Sequence, residues 1–434
     1  MQRWMRNLAA ALLGLACVIA VGSATAQKTV NLTFRFNDTE EKEMRAALDE
    51  FEKRNPGIKV ALQRIGWRDA RDQYLREAAA GQGPDVVHVA QVWVKEMGDA
   101  GALLPLNDLM KQAPLPNAGG FNDFVARELA QNKQGQIFGL PWTTDTWAMV
   151  YRTDVLKEAG ITKLPDTWAE LHDASAQITK RTGKAGFGFP AGGSASGAIW
   201  FLANYYWWSN GKAMVVQKPD GSYGMNLTAA DIADSMRYFK SFLTEGHNPT
   251  SNLSASDAHD PAILQALVTG KQGIGTMPPN TYKQVLETYA AANPGKPLPF
   301  VSGPFPKGSV TRTSNIGGRM LGINVNSKNP AEAWKLVEYL ASEPIFTKYY
   351  TTQFPAQTSL LKKVDFGKEM QGFAEQLGYA RTWGPYSDGP APIGAMWNAT
   401  GRAFSAALSG QRTEQQAAEE LLDNVAKLMK TRGQ

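Results

Sequence analysis

Side chains able to do covalent or metal chemistry are few in this chain of 434 residues, which holds 4 His and 1 Cys. Histidines that share a metal usually sit at short, regular spacings such as H-E-x-x-H. Here His88, His172, His247 and His259 stand apart, and each is expected to be solvated or satisfied in a core, with no metal site. Gly192-Gly193-Ser194-Ala195-Ser196 approaches a nucleophile elbow but ends in Ser and follows no strand pattern. Gly186-x-Gly188-x-x-Ala191 fits the loose dinucleotide spacing, yet Pro190 interrupts it and no strand-to-helix turn accompanies it. Gly270-Lys271 lacks the upstream Gly and the following Ser or Thr of a phosphate loop. Paired carboxylates for glycoside hydrolysis are defined by separation in space, which sequence does not supply. No catalytic residue and no cofactor is therefore expected, and the chain is read as a non-enzyme. What it does have in excess is rings, with 12 Trp and 13 Tyr.

The elements that position those rings begin after a leader. Arg3 and Arg6 precede an apolar run from Leu8 to Val21, which ends in Gly22-Ser23-Ala24-Thr25-Ala26. That order is a secretory signal with cleavage after Ala26. The run is shorter than the ~20 residues of a membrane-spanning helix. Lipidation at Cys17 is disfavoured, because Gly14 stands where lipoprotein signals usually carry Leu and the apolar run continues past the Cys. Cleavage removes the only Cys, so the mature chain has no disulfide and no thiolate. A soluble, exported, periplasmic protein is expected. With 43% apolar and 20% charged residues it can bury sizeable cores. At about 150 residues per domain, two or three folding units fit. A net charge of +5 without a Lys/Arg block gives no reason to expect nucleic acid as a partner.

Val30, Leu32, Phe34 and Phe36 alternate with polar residues as a strand does. Asp38 with Glu41 reads as a capping box for a helix carrying Met44, Ala47, Leu48 and Phe51. Asn55-Pro56-Gly57 stops it, Ile58, Val60 and Leu62 give a second strand, a helix spans about 69–79, and Asp85–Val89 reads as a buried third strand. This alternation implies βαβ units around a parallel sheet, hence an α/β fold. Later come a helix opened by Thr167-Trp168-x-Glu170, another over Asp231–Leu243, a Pro-rich connector over Pro294–Pro306, a strand at Met320–Val325, and helices at 333–340 and 413–430.

Several segments, in order, resemble the bacterial extracellular solute-binding proteins of family 1. These are the carbohydrate-binding components of ABC importers, maltose-binding protein among them. The segments are Asn55-Pro56-Gly57-Ile58-Lys59-Val60, Gly83-Pro84-Asp85-Val86-Val87, Gly101-Ala102-Leu103-Leu104-Pro105-Leu106, Gly139-Leu140-Pro141 with Tyr151-Arg152-Thr153-Asp154, Pro165-x-Thr167-Trp168-x-Glu170, Leu267-x-Thr269-Gly270-Lys271, Gly303-Pro304-Phe305-Pro306, Gly317-Gly318, and Ser327-Lys328-Asn329-Pro330-x-x-Ala333-Trp334. The resemblance implies two α/β lobes joined by a hinge, with crossings near Thr143–Thr146, Val301–Pro304 and Ser342–Pro344. The first lobe would comprise 27–145 plus 303–343 and the second 146–302 plus 344–434, after a signal peptide over 1–26. A sugar would bind between them, close the hinge, and be delivered by a monomeric chain to an inner-membrane permease.

A sugar offers apolar faces to rings and a rim of hydroxyls to amides and carboxylates. On that basis the expected ligand residues are Trp67, Gln91 and Trp93 after the early strands; Trp142, Thr143, Asp145 and Trp147 before the first crossing; Trp207 and Trp208 from the Trp200–Trp208 run; and Trp383 and Tyr386 near the tail. The resemblance adds Gly317 and Gly318, and it aligns Asp145 with a ligand-contacting acid. It also exposes two departures. Asn280 of Pro278-Pro279-Asn280 stands where the family often has a stacking Trp, and Arg319 follows the glycine pair. A guanidinium there suits a carboxylate or phosphate, which raises an acidic solute, such as a glycerol phosphodiester, as the alternative ligand. A third reading, an exported polysaccharide-active enzyme, rests on aromatic content alone. Trp168 and Trp334 are expected in cores.

Overall fold

The computed structural model describes residues 29–38, 40–192, 196–255, 260–350, 353–363, 365 and 367–431. The leader with its cleavage site, Cys17, His259 and most of the Gly192–Ser196 motif lie outside the described residues. In chain order the strands are β1 (Val30–Phe36), β2 (Ile58–Arg64), β3 (Val86–Ala90), β4 (Leu140–Asp145), β5 (Ala148–Arg152), β6 (Ala185–Phe187), the short pair β7 (Val216–Gln217) and β8 (Tyr223–Gly224), β9 (Gln272–Met277), β10 (Phe300–Gly303), β11 (Ser314–Asn315), β12 (Gly317–Ile323), β13 (Phe354–Pro355) and β14 (Ala380–Arg381).

They build two main sheets. The larger has the order β13-β4-β12-β3-β1-β2, and the smaller β10-β5-β9-β6. In the larger, β1 runs parallel to β2 and β3, while β12 lies antiparallel between β3 and β4 and β13 is antiparallel to β4. The period-2 pattern buries Leu32, Phe34 and Phe36, and the apolar stretch of β3 is buried along Val86–Val89 because both faces are covered. Helix Glu41–Arg54 buries the expected Met44, Ala47, Leu48 and Phe51. Thr167 and Thr228 each complete a capping box, starting helices Trp168–Thr182 and Ala229–Thr244. Trp168 and Trp334 are buried in cores, at 5% and 1% exposure.

Two readings need correction. The Pro294–Pro306 stretch is more than a connector: β10 forms within it and pairs antiparallel with β5. Its prolines, Pro299 and Pro304, flank the strand and leave its amides free to pair. The third crossing also falls later than Ser342–Pro344. Helix Glu343–Tyr349 still packs on the first lobe, with Lys348 and Tyr349 both 2.7 Å from Glu50, and β13 completes the larger sheet. The smaller sheet is rejoined only around Glu369–Gly372, where Ser302 Oγ donates to the Glu369 carbonyl at 2.6 Å and accepts from the Gly372 amide at 3.0 Å. The first lobe thus extends past residue 343, because β4 needs an antiparallel neighbour on its outer edge.

The first crossing joins β4 directly to β5, and the second joins β10 to β12. They are stitched together where Thr146 Oγ1 meets Ser314 Oγ at 2.5 Å, and Gln376 Nε2 donates to the same Ser314 oxygen at 2.8 Å. Among the described residues no helix is long and apolar enough to cross a membrane.

Candidate functional site

Register brings the chemistry to one end of the larger sheet. Arg319 on β12 stands opposite Ala90 at the carboxyl end of β3 and opposite Thr143 on β4, while Gly317 stands opposite Asp145. The chain leaving β1 supplies Asn37 and Asp38, that leaving β2 supplies Trp67, and that leaving β3 supplies Gln91 and Trp93. Open α/β sheets bind ligands at such carboxyl ends.

Arg319 is the centre, with 8% exposure. It pairs with Asp145, and its Nε lies 3.0 Å from Asp38 Oδ2. Its guanidinium carbon sits 5.6 Å from the centre of the Trp67 ring. Trp67 in turn donates from Nε1 to Asp38 Oδ1 at 2.9 Å, and its ring lies 5.5 Å from that of Trp93. Burial opposes ionisation of Asp38, but the Arg319 charge and the Trp67 hydrogen bond hold the carboxyl below its ordinary range. His88, fully buried beneath, accepts from the Asn37 amide at Nδ1, 3.3 Å away. Burial pushes its pKa down to about 3, against the pull of Asp38, so the ring is neutral.

Gly317 and Gly318 do their work through backbone. A Cβ on Gly317 would strike the Asp145 carboxylate and one on Gly318 the Thr143 carbonyl, and Gly318 has φ +144°. The pair lets β12 close onto β4, so that Arg319 reaches Asp145 beside a bulge between Arg319 and Met320. Gln91 spends its amide on the Ile316 carbonyl, tying the first lobe to the second crossing. Thr143 is buried and its Oγ1 has no hydrogen-bond partner.

The second lobe contributes a ring cluster. Trp147 lies 4.9 Å from Phe201, which lies 5.4 Å from Trp397. Behind them Trp200 stacks between Trp383 at 5.3 Å and Trp397 at 6.1 Å, and Trp208 lies 4.6 Å from Trp383. Phe201 and Trp397 remain partly exposed, whereas Trp208, Trp383 and Tyr386 are buried. Tyr386 is fully engaged: it donates to Asn204 at 2.7 Å and accepts from Trp208 Nε1 at 3.2 Å and the Met214 amide at 3.0 Å. Burial lifts its pKa to about 12. These three are therefore a supporting layer rather than the wall expected of them. Asn280 lies just beyond β9, whose Met277 pairs with Ala148 beside Trp147. Its buried Oδ1 has no partner, nor does the neighbouring Thr281 Oγ1 or the Trp397 Nε1.

Two expected ligand residues belong to cores. Trp142, at 3% exposure, is held between His88 at 5.3 Å and Tyr350 at 4.6 Å and donates to the Leu340 carbonyl. Trp207, at 1%, packs on Phe404 and donates to Ser235 Oγ. Both sit on elements whose other face serves the site, which sequence alone could not separate. Asp38, Phe201 and Trp397 stand among the expected residues without having been expected there. The Asp38–Glu41 spacing reads as a capping box, yet the helix starts at Glu41 with no side-chain cap, and the carboxylate turns to Arg319. Phe201 and Trp397 stood in aromatic-rich segments but carried no signal that set them apart from their buried neighbours.

The two lobes also meet nearby: Lys95, on the helix that follows β3, pairs with Asp388 of the second lobe. The sequence profile described as bacterial extracellular solute-binding protein matches residues 37–345. A Brucella abortus protein named as a binding protein is 26% identical over 67% of this chain and 66% of its own, so the chain spans just under two thirds of that relative. The maltodextrin-binding protein MdxE of Bacillus subtilis is 24% identical over 96% of this chain and 94% of its own. The GacH receptor of Streptomyces glaucescens, solved unliganded and with acarbose, superposes with a TM-score of 0.78 at 23% identity, covering 93% of this chain and 99% of that one. With a two-lobed α/β fold and a profile match across most of its length, this chain belongs to the bacterial extracellular solute-binding proteins, which bind their solutes and do not transform them.

Proposed function

We propose that the protein captures a neutral sugar, a mono- or oligosaccharide, between its lobes and delivers it to the permease of an ABC importer in the inner membrane. It acts as a periplasmic monomer freed from its signal peptide after Ala26. The observation that carries this reading is the composition of the interlobe site. Partly exposed rings (Trp67, Phe201, Trp397) stand with buried polar atoms that lack partners (Thr143 Oγ1, Asn280 Oδ1, Trp397 Nε1). An unpaired buried polar group costs about 1–3 kcal/mol, and a ligand rimmed with hydroxyls satisfies such groups while rings cover its apolar faces. The maltodextrin-binding relative and the acarbose-bound neighbour support a carbohydrate. Arg319 argues against the acidic alternative: its single positive charge is already answered by Asp38 and Asp145, so an anion would meet a net negative group.

Thermal unfolding of the mature chain against neutral sugars, sugar acids and glycerol phosphates tests this. A ligand at 100 times its dissociation constant adds about 2.7 kcal/mol of stability. Stabilisation by acids or phosphates with none from neutral sugars overturns the proposal, as does release of a product from an oligosaccharide.

A further inference from the structure

The histidines that sequence spacing set aside as unrelated are brought together in the second lobe. His172 sits on helix Trp168–Thr182, and His247 follows helix Ala229–Thr244, whose C-terminal capping residue is Glu245. Both Nε2 atoms lie 3.3 Å from Glu245 Oε2. Both are buried, and neither makes a hydrogen bond. The donor atoms of all three residues fall within 4.8 Å of one another. Two donors each about 2.05 Å from one tetrahedral metal lie about 3.3 Å apart. The site is pre-shaped: the His247 backbone is fixed on both sides, its amide donating to the Phe242 carbonyl at 2.7 Å and its carbonyl accepting from the Gly186 amide at 2.8 Å.

The far side of His247 has a partner as well: its Nδ1 lies 3.1 Å from Thr179 Oγ1, which is also 3.1 Å from the Ser175 carbonyl. With a metal on Nε2, Nδ1 would carry the hydrogen and donate it to Thr179. A hydrogen bond from the far nitrogen is how proteins fix the tautomer of a metal-binding histidine. The Glu245 side chain is 48% exposed, which leaves access and room for water on the open side.

We infer that His172, His247 and Glu245 form a binding site for one divalent transition metal of the zinc class, with Thr179 as its orienting partner and water in the remaining position. The metal would clamp helix Trp168–Thr182 to the end of helix Ala229–Thr244, in the second lobe and separate from the sugar site.

The test uses metal-stripped, untagged mature protein. Calorimetry with Zn²⁺ alone should give one ion per chain, and Co²⁺ should give the visible absorption of a low-symmetry site with mixed nitrogen and oxygen ligands. His172→Ala and Glu245→Gln, both at partly open positions and checked for folding by circular dichroism, should each weaken binding at least tenfold. Thr179→Val should weaken it by about 10–100-fold while leaving the ligands in place. No binding at millimolar Zn²⁺, or binding that none of these substitutions changes, overturns the site.

Discussion

Arg319 enters the interlobe region flanked by two aspartates and one indole, and the division of labour among nearby rings follows from how much of each is left open. Trp67 keeps an accessible face over Arg319, whereas Trp142 is enclosed by His88 and Tyr350. Trp67→Ala should therefore weaken sugar binding about tenfold or more, roughly 1.4 kcal/mol, and cost about 1–3 kcal/mol of stability through the hydrogen bond lost to Asp38. Trp142→Ala should cost about 3–5 kcal/mol of stability. Calorimetric titration and urea unfolding separate the two, and equal destabilisation by both would show that Trp67 is core. His88 gives a pH signature. Its folded pKa of about 3 lies below the ordinary 6.5, so the unfolded chain binds this proton first as pH falls. The contribution is fully present above about pH 6.5 and drains away below it, by up to about 1.4 kcal/mol per pH unit. Thermal midpoints should decline from pH 7 to pH 4, and His88→Phe should flatten that decline. That rings, amides and acids gather at one end of the larger sheet was legible from their types and positions in the chain. Which face each ring presents was not, and Asp38 was hidden because its spacing to Glu41 satisfies a capping rule that the folded chain does not use.

At the scale of elements, period and punctuation carried most of the information. Strands β1 to β3 and the helix capped by Thr167 lie where alternation and the Thr167-Trp168-x-Glu170 pattern put them, and the helix expected over Asp231–Leu243 forms over Ala229–Thr244, because these signals are local. The misses come from pairing partners remote in sequence. Strand β10 is recognisable only once β5 lies beside it, and β13 only once β4 offers an edge. The glycine pair that opens β12 shows how an element's end sets site geometry. Gly318→Ala places a Cβ against the Thr143 carbonyl at φ +144°. A cost of about 1–3 kcal/mol is expected from backbone strain alone, together with weaker ligand binding as Arg319 moves off Asp145. A variant with unchanged midpoint and affinity would show that β12 tolerates wider spacing from β4.

For the whole molecule, the two-lobed plan was legible from ordered family segments, but the point at which the chain last changes lobe was not. Among the described residues Lys95–Asp388 is a direct tie between the lobes, with side chains 15% and 35% exposed. An ion pair of this kind is worth about 0–1 kcal/mol and is screened by salt. Lys95→Gln should accordingly weaken ligand binding by no more than about fivefold, and high salt should shrink the difference from the unmodified protein. A loss that persists at high salt would mean that Lys95 touches the ligand itself.

The position of β12 between β3 and β4 also dictates an order of assembly. The first-made strands cannot be joined into one sheet until residues 317–323 have been supplied, and the outer edge of β4 waits for Phe354–Pro355. Such pairings between distant parts of a chain are slow to form. A fragment ending at Val310 should leave the β4 amides of Leu140–Asp145 open to fast hydrogen exchange, and protection there would show that β4 finds another partner. The strands made first thus wait longest for their partners, and the larger sheet closes only after most of the chain has been made.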